Sequence, residues 1–124
     1  MIPVVLLAED DEQMRRMLNE HLQRRGFVVV EVADGYELLA YVTLARSGGE
    51  LPEPDAVVTD LNLPGADGLR ALEGFGHLER VVLISAFADP MTLERARAAG
   101  IHTVLAKPFA VEALVAEVER VVGR

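Results

Sequence analysis

The chain has no cysteine and no tryptophan, and aromatic residues make up only 5% of its 124 positions. The absence of cysteine excludes a disulfide scaffold, a cysteine-ligated zinc or iron–sulfur site and a thiol nucleophile. Positive charge is also scarce, because 20 acidic residues outnumber 12 basic ones and give a formal net charge of −8. A surface this acidic disfavours direct contact with nucleic acid and favours cations or basic protein partners.

Long hydrophobic runs are missing as well. A bilayer-spanning helix needs roughly 18–20 consecutive apolar residues, and no run in the sequence approaches that length. The apolar residues 3–8 have no basic residue before them and lead directly into four acids, which is not typical of a signal peptide. We therefore expect a cytoplasmic protein with no membrane partner. At roughly 100–200 residues per domain, the length predicts one domain over residues 1–124.

What the chain does contain is an alternation of two hydrophobic patterns. Short, nearly uncharged runs of aliphatic and β-branched residues are typical of strands that are covered on both faces. Segments with helical periodicity separate them, and strand–helix–strand crossovers are almost always right-handed. The pattern predicts five βα units forming a three-layer α/β domain with a parallel sheet. The predicted strands are Val4–Ala8, Phe27–Val32, Asp55–Thr59, Val81–Ser85 and Thr103–Ala106.

The helical segments carry apolar faces and start signals. Asp34 is predicted to cap the second helix, and Asp89 followed by Pro90 predicts the start of the fourth. The third helix, Gly68–Phe75, is short and interrupted by glycine. The first helix is predicted to share one face among Met14, Met17, Leu18, His21 and Leu22, and the second among Leu38, Tyr41, Val42 and Ala45.

Acidic residues follow two of the predicted strands. In an open parallel sheet, sites form beyond the carboxyl ends of the strands, where Glu9, Asp10 and Asp60 would meet. Three carboxylates in one pocket repel unless something neutralises them, and Mg²⁺ prefers such oxygen ligands. For Glu9, the last residue of an apolar run, a metal-binding role is favoured. For Asp11 and Glu12, a role at the start of the first helix is favoured.

Two further strand ends carry polar side chains. Lys107 is the single lysine in a chain with eleven arginines, and Pro108 after it disfavours helical backbone at that position. A compact ammonium on a flexible stem can follow an anion through a reaction more easily than a guanidinium can. A structural ion pair with a site carboxylate is the alternative. Ser85 ends the fourth strand, where its hydroxyl could donate to a phosphoryl oxygen.

Taken in order, these residues resemble the receiver domain of two-component response regulators, over essentially the whole chain. An acidic pair follows strand one, and Asp60 ends strand three with a proline, Pro64, four positions later. A small hydroxyl residue ends strand four and Lys-Pro ends strand five. The resemblance implies a flavodoxin-like, doubly wound (βα)5 sandwich with a five-stranded sheet of order 2-1-3-4-5.

The resemblance also implies a role for each site residue. Asp60 would accept a phosphoryl group from a sensor histidine kinase or a histidine phosphotransfer protein, without turnover of an external substrate. Ser85 and Lys107 would contact the phosphoryl oxygens after transfer. A Mg²⁺ cofactor would be held by Glu9, Asp10, Asp60 and the backbone carbonyl of Asn62.

Output in this family usually passes through the face made by helix four, strand five and helix five. That face would include Arg95, Arg97, His102 and Ala110 and would bind a downstream protein. The sequence departs from the family pattern at Val104, where strand five usually carries an aromatic residue. The third helix and its following loop also look short, and the loop over residues 47–54 looks long.

Other functions are weighed against this one. A haloacid-dehalogenase-type phosphatase needs a second aspartate two residues after the nucleophile, and Asn62 stands there instead. A flavodoxin-like nucleotide binder is disfavoured, because four acids rather than a glycine-rich phosphate loop follow the first strand. A receiver-like binding module that works without phosphorylation is the remaining alternative: the intact acid set argues against it, whereas Val104 in place of the usual aromatic residue argues for it. Tyr36, Leu39 and Leu44 lie off the predicted buried stripe of the second helix, where either a second docking surface or scattered surface apolar residues would account for them.

Overall fold

The computed structural model describes residues 2–46, 48–86 and 90–124. Strands and helices alternate along the chain, as the two hydrophobic patterns predict. The strands are β1 (Val4–Ala8), β2 (Val28–Val32), β3 (Ala56–Asp60), β4 (Val81–Ser85) and β5 (Thr103–Ala106). The helices are α1 (Glu12–Arg24), α2 (Gly35–Arg46), α3 (Gly68–Ala71), α4 (Pro90–Ala99) and α5 (Val111–Val121), with a 3-10 turn at Leu78–Arg80.

The five strands form one parallel sheet in the order β2-β1-β3-β4-β5. This order confirms the predicted flavodoxin-like, doubly wound fold. Strand order reverses between β1 and β3, and the register aligns Ala8 with Thr59 there. The ends of β1 and β3 therefore open into one crevice, which is where ligands bind in sheets of this type.

The core consists of two hydrophobic clusters, one on each face of the sheet. Alternate residues of one strand enter opposite clusters, so that Leu6 joins the first and Leu7 joins the second. The first cluster is closed by side chains of α2 and the segment around α3, and the second by α1 and α5. Because both faces are covered, the central strands contain almost no polar residues until they reach the crevice.

Three strand boundaries differ by one residue from the prediction: the start of β2 and both ends of β3. Phe27 precedes β2, because its N–H donates to Leu22 O (3.2 Å) and so closes the end of α1. Asp55 precedes β3, and its carboxylate accepts the N–H of Val4 at 2.7 Å. At the other end, β3 continues through Asp60, which pairs in register with Ile84.

The helices bear out most of the predicted faces. All four predicted residues of α2 are buried, and Asp34 caps this helix by accepting the N–H of Glu37 at 2.8 Å. On the predicted face of α1, Leu18 and Leu22 are buried, whereas Met17 is 37% exposed. The α4 helix begins at Pro90, whereas the predicted cap Asp89 lies outside the described residues. Across those residues, no helix combines the length and hydropathy that crossing a bilayer requires.

Candidate functional site

Glu9 lies immediately after β1 and is fully buried. Its N–H donates to Val32 O at 3.1 Å, which extends the ladder with β2 by one step. Its carboxylate Oε2 accepts the N–H of Asp11 at 3.1 Å, and its carbonyl accepts a guanidinium N–H of Arg15 at 2.7 Å. These bonds hold the Glu9 carboxylate at the crevice between β1 and β3.

Asp60 ends β3 in the same crevice and is 5% exposed. Its Oδ1 accepts the N–H of Asn62 at 2.8 Å. Its Oδ2 accepts from the ammonium of Lys107 at 2.6 Å, and the same ammonium donates to Glu9 Oε1 at 3.0 Å. Lys107 therefore joins two carboxylates that are 51 positions apart in the chain.

Asp10 completes a group of three carboxylates. One oxygen from each of Glu9, Asp10 and Asp60 lies within 4.8 Å of the other two, and within the described parts of the chain no other such group of three potential ligands occurs. Glu9 and Asp60 are buried and Asp10 is exposed, so the group has an open side. Hard oxygen donors in this number suit Mg²⁺, which usually keeps several waters beside a few carboxylates.

The charges of the site are incompletely balanced within the protein. Three ionised carboxylates and one ammonium leave a net charge of −2, which one divalent cation would balance. Burial raises the pKa of the Glu9 carboxyl above its ordinary value, although hydrogen bonds from the Asp11 backbone and Lys107 act the other way. Burial acts to lower the pKa of Lys107, but its bonds to Asp60 and Glu9 outweigh this and raise that pKa. The pocket thus favours added positive charge.

Ser85 and Lys107 are brought together by the sheet. Ser85 ends β4, is 2% exposed, and pairs in register with Ala106. The N–H of Lys107 donates to Ser85 O at 2.8 Å, and the peptide bond from Lys107 to Pro108 is cis. Val104 lies opposite Leu83 on the same strand pair and is half-buried. The hydroxyl residue and the lysine therefore lie at the same end of the sheet.

The residues after Glu9 and Asp10 serve the start of α1. Asp11 caps the helix by accepting the N–H of Met14 at 3.1 Å, as the sequence predicts. Glu12 occupies the first turn and pairs with Arg16 at 2.9 Å on the exposed surface.

Arg15 was missed in the sequence. It bonds both the carbonyl of Glu9 and the carboxylate of Glu31 (3.2 Å). Its position one helical turn after the cap was the available signal, because that turn faces the end of β1.

Comparisons with known proteins agree with this geometry. Residues 5–119 match the family described as response regulator receiver domain. The chain is 37% identical over 123 residues to the transcriptional regulatory protein PdtaR of Mycobacterium tuberculosis, covering 97% of this chain and 57% of that protein. It is 28% identical over 111 residues to sporulation initiation phosphotransferase F of Bacillus subtilis, covering 87% and 84% of the two chains.

Among solved structures, the chemotaxis response regulator CheY4 of Vibrio cholerae superposes with a TM-score of 0.80 at 26% identity, covering 98% of this chain and 99% of that one. The chain spans little more than half the length of PdtaR. The family match, by contrast, covers nearly all of the sheet and every strand end that forms the crevice. On this match and this architecture, the chain belongs to the response regulator receiver domain family.

Proposed function

We propose that Asp60 is the phosphoacceptor of this receiver domain and that its phosphorylation switches a protein-binding surface. The observation that carries the proposal is the ammonium of Lys107, which contacts Asp60 and Glu9, two members of the group of three carboxylates. The phosphoryl donor is a sensor histidine kinase or a histidine phosphotransfer protein, and no external substrate is turned over. The likeness to sporulation initiation phosphotransferase F supports a place in phosphotransfer.

The residues of the site lower the electrostatic cost of transfer. A carboxylate oxygen of Asp60 attacks the phosphorus atom, the phosphorus–nitrogen bond to the donor histidine breaks, and an acyl phosphate forms. Lys107 transfers its hydrogen bonding from the Asp60 carboxylate to a phosphoryl oxygen, and the Ser85 hydroxyl donates to another.

The residues also fit a cofactor. Glu9, Asp10, Asp60 and the Asn62 carbonyl would hold Mg²⁺, which neutralises charge on the phosphoryl oxygens when bound. A cytoplasmic location, expected from the sequence, is part of the same proposal.

The test is the mass of the intact protein after incubation with Mg²⁺ and a small-molecule phosphodonor such as acetyl phosphate. Wild type should gain one phosphoryl group, and Asp60→Asn should gain none. Asp11→Asn is the matched control, since this nearby aspartate caps α1 and should leave the gain intact. A folded wild-type protein that gains nothing would instead favour a binding module that works without phosphorylation.

The output surface is the face formed by α4, β5 and α5. The four residues expected on it, Arg95, Arg97, His102 and Ala110, are exposed, which supports contact with a downstream protein. We propose that Ser85 moves toward the phosphoryl group and pulls on the chain that leads to α4; residues 87–89 of this segment lie outside the described residues. Such a switch shifts the balance between two packings of α4.

Removal of the hydroxyl tests this route. In Ser85→Ala, activation of Asp60 should leave the amide resonances of α4 near their unphosphorylated positions, whereas wild type should show clear shifts. Full wild-type shifts in the variant would contradict the route through Ser85. Because Val104 stands where an aromatic residue is usual, Ser85 would act without that partner.

A further inference from the structure

The start of α2 lies in unusually close contact with the loop that follows Asp60. The N–H of Gly35 donates to Pro64 O at 2.8 Å. A Cβ atom added to Gly35 would lie 2.0 Å from the backbone oxygen of Ala66, and 2.8 Å and 2.9 Å from its carbonyl carbon and nitrogen. These are backbone atoms, so no side-chain rotation could relieve the overlap. Gly35 is buried and has no positive φ, so the need for glycine here is one of space alone.

A second contact between the start of α2 and this loop joins Tyr36 and Gly65. The ring of Tyr36 covers Gly65, where an added Cβ would lie 2.7 Å from Cδ2 and 2.9 Å from Cε2 of the ring. Gly65 also has a φ of +92°, which favours glycine. Two successive residues of α2 thus meet two successive residues of the loop.

The loop that these contacts hold carries a proposed metal ligand. It runs from residue 61 to residue 67, between the end of β3 and the start of α3. Its first residue is fixed by Leu61 N–H to Ile84 O (3.0 Å), and its last by Asp67, which accepts the N–H of Leu69 at 3.0 Å. Between these ends, the N–H of Asn62 bonds Asp60 and the carbonyl of Pro64 bonds Gly35. The start of α2 therefore anchors the middle of the loop.

We infer that Gly35 is a positioning residue. It sets how closely this loop approaches α2, and thereby the position of the Asn62 backbone relative to Asp60. The inference rests on the proposed function, because it assigns Gly35 a role in metal binding at that site. A methyl group at position 35 would push Ala66 and Pro64 away from α2. Since Asn62 is two residues before Pro64, the displacement would reach the carbonyl that is proposed to bind Mg²⁺.

The test compares Gly35→Ala with Gly74→Ala. Gly74 also faces α2, but an added Cβ there would lie 3.5 Å from Val42 Cγ1, an ordinary contact. Mg²⁺ titrations followed by amide resonances of residues 60–67 report both affinity and loop position. We expect Gly35→Ala to weaken Mg²⁺ binding about 10-fold, the lower end of the usual effect of changing groups that orient metal ligands. Gly74→Ala should bind as wild type does.

Hydrogen exchange in wild type keeps the inference testable if Gly35→Ala does not fold. Mg²⁺ should slow exchange of the Gly35 N–H, because coupling between metal binding and the contact of Gly35 with the loop is reciprocal. The Gly74 N–H should be unaffected. Gly35→Ala that folds, binds Mg²⁺ with wild-type affinity and keeps the loop resonances unshifted would overturn the inference, as would unchanged Gly35 exchange on metal binding. Failure of wild type itself to bind Mg²⁺ would instead overturn the proposed metal site.

Discussion

The single lysine of the chain, Lys107, contacts two carboxylates of the site with one ammonium group. Its ammonium lies 2.6 Å from Asp60 Oδ2 and 3.0 Å from Glu9 Oε1, and both partners are buried. A compact ammonium can serve two carboxylates from different strands, whereas the planar guanidinium of arginine suits two oxygens of one carboxylate. This explains, in physical terms, a lysine in a chain that otherwise uses arginine.

Replacing Lys107 by methionine should destabilise the metal-free protein. The two carboxylates would be left buried without their shared donor, and we expect a loss of about 2 kcal/mol in the free energy of unfolding. The measurement is urea unfolding in EDTA at neutral pH. Arg16→Met is the control, since it removes an exposed pair whose side chains are 71% and 70% accessible and should change little. Equal effects of the two substitutions would contradict the importance of the Lys107 contacts.

At the scale of elements, the start of α1 separates two roles within one acidic run. Glu9 and Asp10 belong to the carboxylate group, whereas Asp11 accepts the N–H of Met14 and satisfies an amide that has no partner within the helix. Of these two neighbouring residues, Asp10 therefore belongs to the carboxylate group and Asp11 to the start of α1.

Asp11→Ala should cost about 1 kcal/mol of stability through loss of the cap. Asp11→Asn retains a capping oxygen and should lie close to wild type, as seen in thermal unfolding. Mg²⁺ affinity, measured by calorimetry, should fall much less in Asp11→Ala than in Asp10→Ala. The reason is that Asp10 is a member of the carboxylate group and Asp11 is not. A larger loss of affinity in Asp11→Ala would assign position 11 to the metal.

The α3 and α4 helices are linked by Asp67. Its carboxylate caps α3 at Leu69 and pairs with Arg95 of α4 at 3.2 Å. Slight burial acts to raise the pKa of Asp67, but the bonds from Arg95 and the Leu69 backbone outweigh it and lower that pKa. A carboxyl whose folded pKa lies below its unfolded value stabilises the protein above the unfolded value, about 3.9. That contribution is lost as the pH falls through the folded value.

Asp67→Asn keeps a capping oxygen and removes the charge. The difference in unfolding free energy between wild type and this variant should be largest near neutral pH and shrink below about pH 4. Urea unfolding across this range measures it. In an Arg95→Gln background the difference should be smaller throughout, because the principal partner is gone. A difference that stays constant with pH would show that the charge of Asp67 contributes nothing.

For the whole molecule, stability comes from two clusters that share one sheet. Leu6 lies on the interior strand β1, pairs with Val30 and Val57, and is fully buried in the first cluster. Val28 lies on the edge strand β2 and is 45% exposed. Truncation to alanine should therefore have different consequences at the two positions.

Leu6→Ala should lower the free energy of unfolding by about 2–5 kcal/mol, because it leaves a cavity between the sheet and α2. Val28→Ala should cost less than about 1 kcal/mol, since its side chain is already partly hydrated. Denaturant unfolding of both variants in EDTA gives the comparison without any contribution from metal binding. Similar losses in the two variants would argue against a core concentrated on the central strands.

Much of this architecture follows from local sequence patterns. The uncharged runs fixed the strands to within a residue, because a strand covered on both faces tolerates few polar side chains. The polar residues that interrupt those runs, Glu9, Asp60, Ser85 and Lys107, indicated the strand ends that open into the crevice. Family resemblance then supplied their expected roles.

Other features depend on contacts between segments that are far apart in the chain. Whether Lys107 reaches Glu9, Asp60 or both is decided by the register of four strands, which no local pattern encodes. The exposure of Met17 and the bond from Arg15 to Glu9 depend on how α1 is rotated against the sheet. The need for glycine at position 35 arises only because the backbone of Ala66 lies against it, and a side chain that is absent leaves no pattern of its own in a sequence.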